Sequence, residues 1–174
     1  MKKVDAMSLS IGALGALDTY LTATILPLPV FVTFIAWASF FILGGGVTGL
    51  KQSIACNLLG VVIASASLLA SLLVPDSKPF LALCVGVGSA AMVQASKLPS
   101  FAPTPAVVWG FASTVATMVG TGVPISHAGL TNPGLVAAAA MILGALFGYA
   151  SELWGTAMIK APAAAPAAEP RSVA

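Results

Sequence analysis

An all-α fold, a polytopic transmembrane bundle of six segments, is what this sequence predicts, and three observations carry it. Of 174 residues, 59% are hydrophobic and 7% charged, whereas soluble domains carry roughly 25% charged residues. A chain with so few polar side chains cannot cover a surface in water, so the bilayer is its expected solvent. Six apolar runs, separated by proline, glycine or charged residues, make up nearly all of it. Threading those runs through a membrane with the N-terminus inside puts Lys2, Lys3, Lys51, Lys97, Lys160 and Arg171 on the cytoplasmic face. Only Lys78 falls outside, close to Asp76. That is the positive-inside pattern of an even number of spans in a bacterial inner membrane, with both termini cytoplasmic.

Segment one, Met7–Leu26, follows Lys2 and Lys3 as a signal peptide would. It exceeds the ~7–15 apolar residues of such peptides, and Leu-Pro-Leu-Pro follows in place of a cleavage site. It reads as a retained span. Segments three, Ser53–Val74, and six, Gly134–Ala157, reach the ~20 residues that cross a bilayer. Segment four, Pro79–Ala95, is just long enough, with Pro79 acceptable as a first helical residue. Segments two, Val30–Leu43, and five, Ala106–Val119, are short unless they run on through their glycines. Each enters from a Pro-x-Pro (Pro27 and Pro29, Pro103 and Pro105) and leaves through glycines, so both are expected to be short or broken. The bundle is assigned to residues 1–160, with candidate halves 7–74 and 79–157. Pro162, Pro166 and Pro170 forbid a helix in Ala161–Ala174, which reads as a disordered Ala/Pro tail.

Displacing the chain so that Pro27 falls on Pro103 also sets Pro29 on Pro105, Gly12 on Gly88, Gly44 on Gly120 and Gly46 on Gly122. Asp18 then meets Gln94. Three segments per half would make this an inverted-topology repeat, a 3+3 arrangement with interrupted segments in matching positions. Such segments point to a pathway between the halves, because irregular backbone at membrane depth is tolerated only inside protein or along a wet cavity.

Three stretches, Trp37–Val61, Ser100–Thr114 and Leu143–Gly155, resemble a family of small bacterial inner-membrane proteins of unknown function, the YcdZ-like family. The resemblance covers most of the chain except the tail. It implies a multi-span inner-membrane protein and brings no substrate or catalytic residue. The chain departs from the family's single-proline pattern at Ala102-Pro103-Thr104-Pro105.

Asp18 is the sharpest candidate for chemistry. A carboxylate within a span costs ~2.5–3.5 kcal/mol on insertion scales and faces the bundle interior or a water-filled cavity. It reads either as a proton- or solute-contacting group, protonated or bonded to Thr19 or Thr22, or as a hydrogen-bond anchor between helices. Asn57 and Gln94 are buried-amide candidates with the same two readings. Trp37 and Trp109 lie in the short segments, as packing rings or as an aromatic constriction. Together with Pro27, Pro29, Pro103 and Pro105, these make the candidate solute pathway. His127, in the connection after segment five, is either a pH-sensing gate or an exposed loop side chain. Glu152 is expected to snorkel or to pair with Lys51, Lys97 or Lys160. Gly12, Gly15, Gly86 and the Gly144-x-x-x-Gly148 pair permit close helix approach.

No Walker loop, dinucleotide fingerprint or zincin motif occurs, and one histidine with two scattered cysteines supports neither a catalytic set nor a metal site. The sequence therefore predicts no enzyme, no catalytic residue, no metal and no cofactor. Its small net charge, +2, gives no reason to expect nucleic acid. The partners expected are the lipid bilayer, a small-molecule solute and, through small-residue faces, further copies of the chain as a homo-oligomer. The function expected is a channel or facilitator for a small neutral or weakly charged solute. A proton- or ion-coupled transporter, or a non-transporting structural or stress-adaptation subunit, are the alternatives.

Overall fold

The computed structural model describes residues 1–159 and is all-helical over that length. The helices are α1 (Lys3–Thr24), α2 (Val30–Ile42), α3 (Gly46–Ser71), α4 (Lys78–Ala95), α5 (Thr104–Thr121) and α6 (Pro133–Ala157), with a 3₁₀ turn at Pro99–Phe101 before α5. Three of them, α3, α4 and α6, are long and apolar enough to cross a membrane. The chain is on that ground a membrane protein. The Ala161–Ala174 tail lies outside the described residues.

Two expectations about the segments change and one holds. α1 begins four residues earlier than its apolar run, taking in Lys3 and Asp5, and with Asp18 and its several hydroxyls it is not one of the three membrane-length apolar helices. α2 is short as expected: 13 residues reach about 20 Å at 1.5 Å each, against ~30 Å of hydrocarbon. α5 is not broken, and by running on through Gly120 it reaches 18 residues without joining the three membrane-length apolar helices. Pro103 is its N-cap and Pro105 stands in the first turn, where the missing N–H costs nothing, so the helix runs unbroken for 18 residues.

α3 and α6 cross at the centre. α2 packs mainly on α6, and α5 mainly on α3. α1 lies outside against α6, and α4 outside against α3. Each contact of the first three helices thus has its counterpart in the last three, and α2 also touches α5. Direction follows from the pairs that meet. Thr33 and Phe40 of α2 face Gly144 and Gly148 of α6 in the same order along both helices. Every connection reverses the chain, so the second set of three helices runs opposite to the first. The short helix of each half is lent to the long helix of the other half.

Glycine makes both crossings. Gly60 on α3 faces backbone of Val107, Gly110 and Phe111, and Gly144 on α6 faces the backbone of Thr33. No side chain fits at either place. Gly148 takes the rings of Phe40 and Trp37, so the Gly-x-x-x-Gly pair is used within the chain, whereas Gly12 and Gly86 face open space.

The repeat's register differs from the ungapped displacement. Pro29 and Pro103 are each the N-cap of their helix, so these two correspond, and not Pro27 with Pro103. Gly44 and Gly45 lie in the turn between α2 and α3 and Gly46 opens α3, while Gly120 is still helical and Gly122 caps α5 in the left-handed conformation. The α5–α6 connection, residues 123–132, is longer than that between α2 and α3 and displaces everything after it.

Asn132 closes this longer connection. Its Oδ1 accepts from the N–H groups of Gly134 and Leu135, and its Nδ2 donates to the carbonyls of Ile125 (2.8 Å) and His127 (2.9 Å). One side chain therefore caps α6 and holds the loop on it. Asn132→Ala is expected to destabilise by about 1–2 kcal/mol, read as a lower unfolding temperature in detergent with faster amide exchange confined to residues 123–132.

Candidate functional site

α2 carries no titratable side chain, yet its inward face is polar: Thr33, Trp37 and Ser39 are all buried. Each finds a partner on a different helix. Thr33 meets Asp18 of α1, Trp37 donates from Nε1 to Ser151 of α6 (3.1 Å), and Ser39 joins α3. Thr33 and Trp37 stand four residues apart on one side of α2, and Ser39, two residues beyond Trp37, points to another side, toward α3.

The contact with α3 is a closed triangle. Ser39 Oγ donates to Asn57 Oδ1 (3.3 Å), Asn57 Nδ2 donates to Ser53 Oγ (3.2 Å), and Ser53 Oγ donates to Ser39 Oγ (3.0 Å). Its three residues are fully buried, and backbone of Asn57 abuts Gly110 of α5. A triangle whose oxygens and amide all bond to one another is an inter-helix fastening. Asn57 thus belongs to the bundle's packing where α2, α3 and α5 meet.

Asp18 is different. Its side chain is fully buried, and its partner is Thr33 across the α1–α2 contact, not Thr19 or Thr22. Those two hydroxyls bond backward within α1, Thr19 to Gly15 O and Thr22 to the main-chain carbonyl of Asp18. Thr33 Oγ1 lies 2.5 Å from Asp18 Oδ2 and 2.7 Å from Val30 O. Asp18 Oδ1 is buried without any partner. Among the described residues Ser113 Oγ on α5 is the other buried oxygen left unpartnered, whereas neighbouring Thr114 and Thr117 bond back to Gly110 O and Ser113 O.

The other pathway candidates scatter. Gln94 is exposed on α4, on the far side of α3 from α1, so it is not brought to Asp18. With Pro29 answering to Pro103, the ungapped pairing of Asp18 with Gln94 does not hold, and α4 buries only Gly88 and Met92. Trp37 is 3% exposed and packs between Phe34 and Phe147, at 5.7 and 5.8 Å between ring centres. Trp109 is half-buried against the cluster of Cys56, Ala64, Met92 and Phe111. Pro27 and Pro105 are exposed and Pro29 and Pro103 half-buried, at the two helix starts. His127 is exposed, on the rim of a groove of about 550 Å³ between α3, α6 and the 123–132 loop, which Ser65 and Asn132 also line. A second groove, of about 420 Å³, opens laterally between α3 and α4 and is lined almost wholly by apolar side chains.

Among the described residues Glu152 pairs with no lysine; Lys160 lies outside them. Glu152 Oε2 accepts from the N–H of Gly46 (2.6 Å), the first residue of α3. A carboxylate there satisfies an orphan donor and faces the positive end of the helix dipole. Sequence reasoning did not find this role, nor those of Thr33 and Ser113. Glu152 is distant in sequence from the helix it caps. Only the Gly-Gly-Gly run, a turn that calls for an anchor, hinted at it.

The family description that matches this chain is "Protein of unknown function (DUF1097)", over residues 8–156. The chain belongs to that family. No curated protein and no solved structure matches it.

Proposed function

We propose that this protein is a non-enzymatic permease of the bacterial inner membrane, a facilitator for a small neutral or weakly charged solute. The exchange of short helices between two opposed halves carries the reading. An arrangement in which each half lends its Pro-initiated helix to the other lets the halves rock about shared crossings and expose an interface path to either side. The path would run beside α2 and α5, past the hydroxyls of Ser113 and Thr117, with Trp37 and Trp109 flanking it and His127 at one mouth. Hydroxyls and backbone groups suit an uncharged solute. The distribution of lysines supports cytoplasmic termini, and the open small-residue faces at Gly12 and Gly86 support homo-oligomers.

A second reading is proton-coupled transport. The unpartnered buried oxygen of Asp18 favours it. Liposomes holding the full chain separate the two. Stopped-flow swelling is expected with at least one of urea, glycerol and short monocarboxylates, at a rate above that of empty vesicles and independent of an imposed pH gradient. Flux that follows the gradient and disappears in Asp18→Asn would transfer the assignment to the transporter. Absence of flux for every solute would end both.

A further inference from the structure

Thr33 has one hydroxyl hydrogen and two acceptors in reach. Asp18 Oδ2 is at 2.5 Å and Val30 O at 2.7 Å. If Asp18 were a carboxylate, Thr33 would have to abandon one of them, and Oδ1 would be a buried anionic oxygen with nothing opposite it. A carboxylic acid resolves the count. A hydroxyl can accept one hydrogen while donating its own, so a chain runs from Asp18 to Thr33 to Val30 with every hydrogen used. Oδ1 is then a neutral carbonyl oxygen, far cheaper to leave bare than a charged one.

The surroundings agree. α2, which supplies the partner, has no titratable residue. On α6, the other helix packed against α1, the titratable groups are Tyr149, edge-on to the ring of Phe40, and Glu152, bonded to Gly46. On α1 itself, Lys3 and Asp5 lie in the first turn, and Tyr20 is 62% exposed. No cation faces Asp18 from any of the three helices.

We propose that Asp18 is a proton-binding site inside the bundle: it carries its proton in this conformation, donating from Oδ2 to Thr33, whose own hydrogen goes to the Val30 carbonyl. A proton needs no cavity, which fits a side chain wholly enclosed. Losing that proton would turn the Thr33 hydroxyl away from Val30 toward Asp18. The charge state of α1 is thereby tied to the first turn of α2, the Pro-initiated helix that docks on the opposite half. This deepens the proton-coupled reading above, but it stands on the geometry of α1 and α2 alone.

The test is infrared spectroscopy of the full chain in nanodiscs at pH 7, with carboxyl-¹³C aspartate as the only label and the exposed Asp5 and Asp76 replaced by Asn. The expected result is one isotope-shifted carboxylic-acid C=O band, lost in D18N and moved in frequency by T33V. Should D18N fail to fold, the labelled chain with Asp18 intact already decides the matter, since Asp18 is then its only aspartate. A labelled signal found solely among the carboxylate bands overturns the proposal. A band indifferent to T33V removes Thr33 from the site and overturns the relay. Flux is read separately: a protonated Asp18 without transport would sink the permease and leave the proton site, and transport with an ionised Asp18 would do the reverse.

Discussion

Gly60→Ala and Gly144→Ala are each expected to lower stability by at least ~1–3 kcal/mol, the usual range for forcing extra carbon into a packed core. The cause is backbone against backbone. A methyl at residue 60 overlaps Val107 O and the main chain of Gly110 and Phe111, and a methyl at residue 144 overlaps the main chain of Thr33. A side-chain neighbour could rotate away; a helix backbone can only withdraw as a unit. Relief therefore means separating α3 from α5, or α6 from α2, and with them the packing between the halves. Gly12 and Gly86 supply the control, because nothing lies within 4 Å of a carbon added there. Alanine in those helix interiors is expected to be neutral or stabilising by up to ~1 kcal/mol. Thermal unfolding in detergent, followed by tryptophan fluorescence, ranks the four variants. If Gly60→Ala and Gly144→Ala unfold at the temperature of Gly12→Ala, the tight crossings are not real. Because Gly60 and Gly144 make separate crossings, the double variant should lose close to the sum of the singles. A large excess over the sum would mean that the two crossings act as one element.

The membrane character and the order of the helices were legible because both depend on composition and run length. Six runs gave six helices, and residues such as Pro79 and Gly122 fell where helix starts and stops are physically required. α5 stays unbroken because Pro105 stands in its first turn, the one place where proline fits a helix, and it runs on through Gly120. The repeat was visible in its Pro-initiated second helices but its register was not: Pro29 and not Pro27 answers to Pro103, and α5, five residues longer than α2, carries Gly120 into the helix. Asp18 stood out because an acid in an apolar run is expensive wherever it lies. Its partner could not be chosen from sequence: Thr19 and Thr22 are nearer along the chain, but a helical threonine bonds most readily to the carbonyl one turn back. That leaves Thr33, which needs the α1–α2 contact to be known first. Gln94 was overvalued for the converse reason. Polarity in an apolar helix signals the interior only if the helix is enclosed, and α4 is peripheral.

Glu152→Ala is expected to cost about 1.5–3 kcal/mol, the range for hydrogen bonds to charged groups. The carboxylate holds the N–H of Gly46 at the start of the central helix α3. The chain reaches that point through Gly44, Gly45 and Gly46 at φ 91°, 69° and 61°, three successive left-handed residues that only glycine adopts without strain. Glu152→Gln keeps an acceptor and loses the charge, so its cost should fall between alanine's and zero. Glu152→Lys sets a cation against the positive end of α3 and should be the worst of the three. Gly45 sharpens the test. Its added carbon would meet the Glu152 carboxylate as well as the strained backbone. In the Glu152→Ala background the collision is gone and only the strain is left. Gly45→Ala and Glu152→Ala combined should therefore cost less than the sum of the two alone. Additive losses, measured by unfolding temperature across the four proteins, would mean that Glu152 does not reach the turn. If the halves do rock, this contact joins α6 of one half to the α2–α3 turn of the other, and the same variants should change flux in the liposome assay out of proportion to the amount of folded protein.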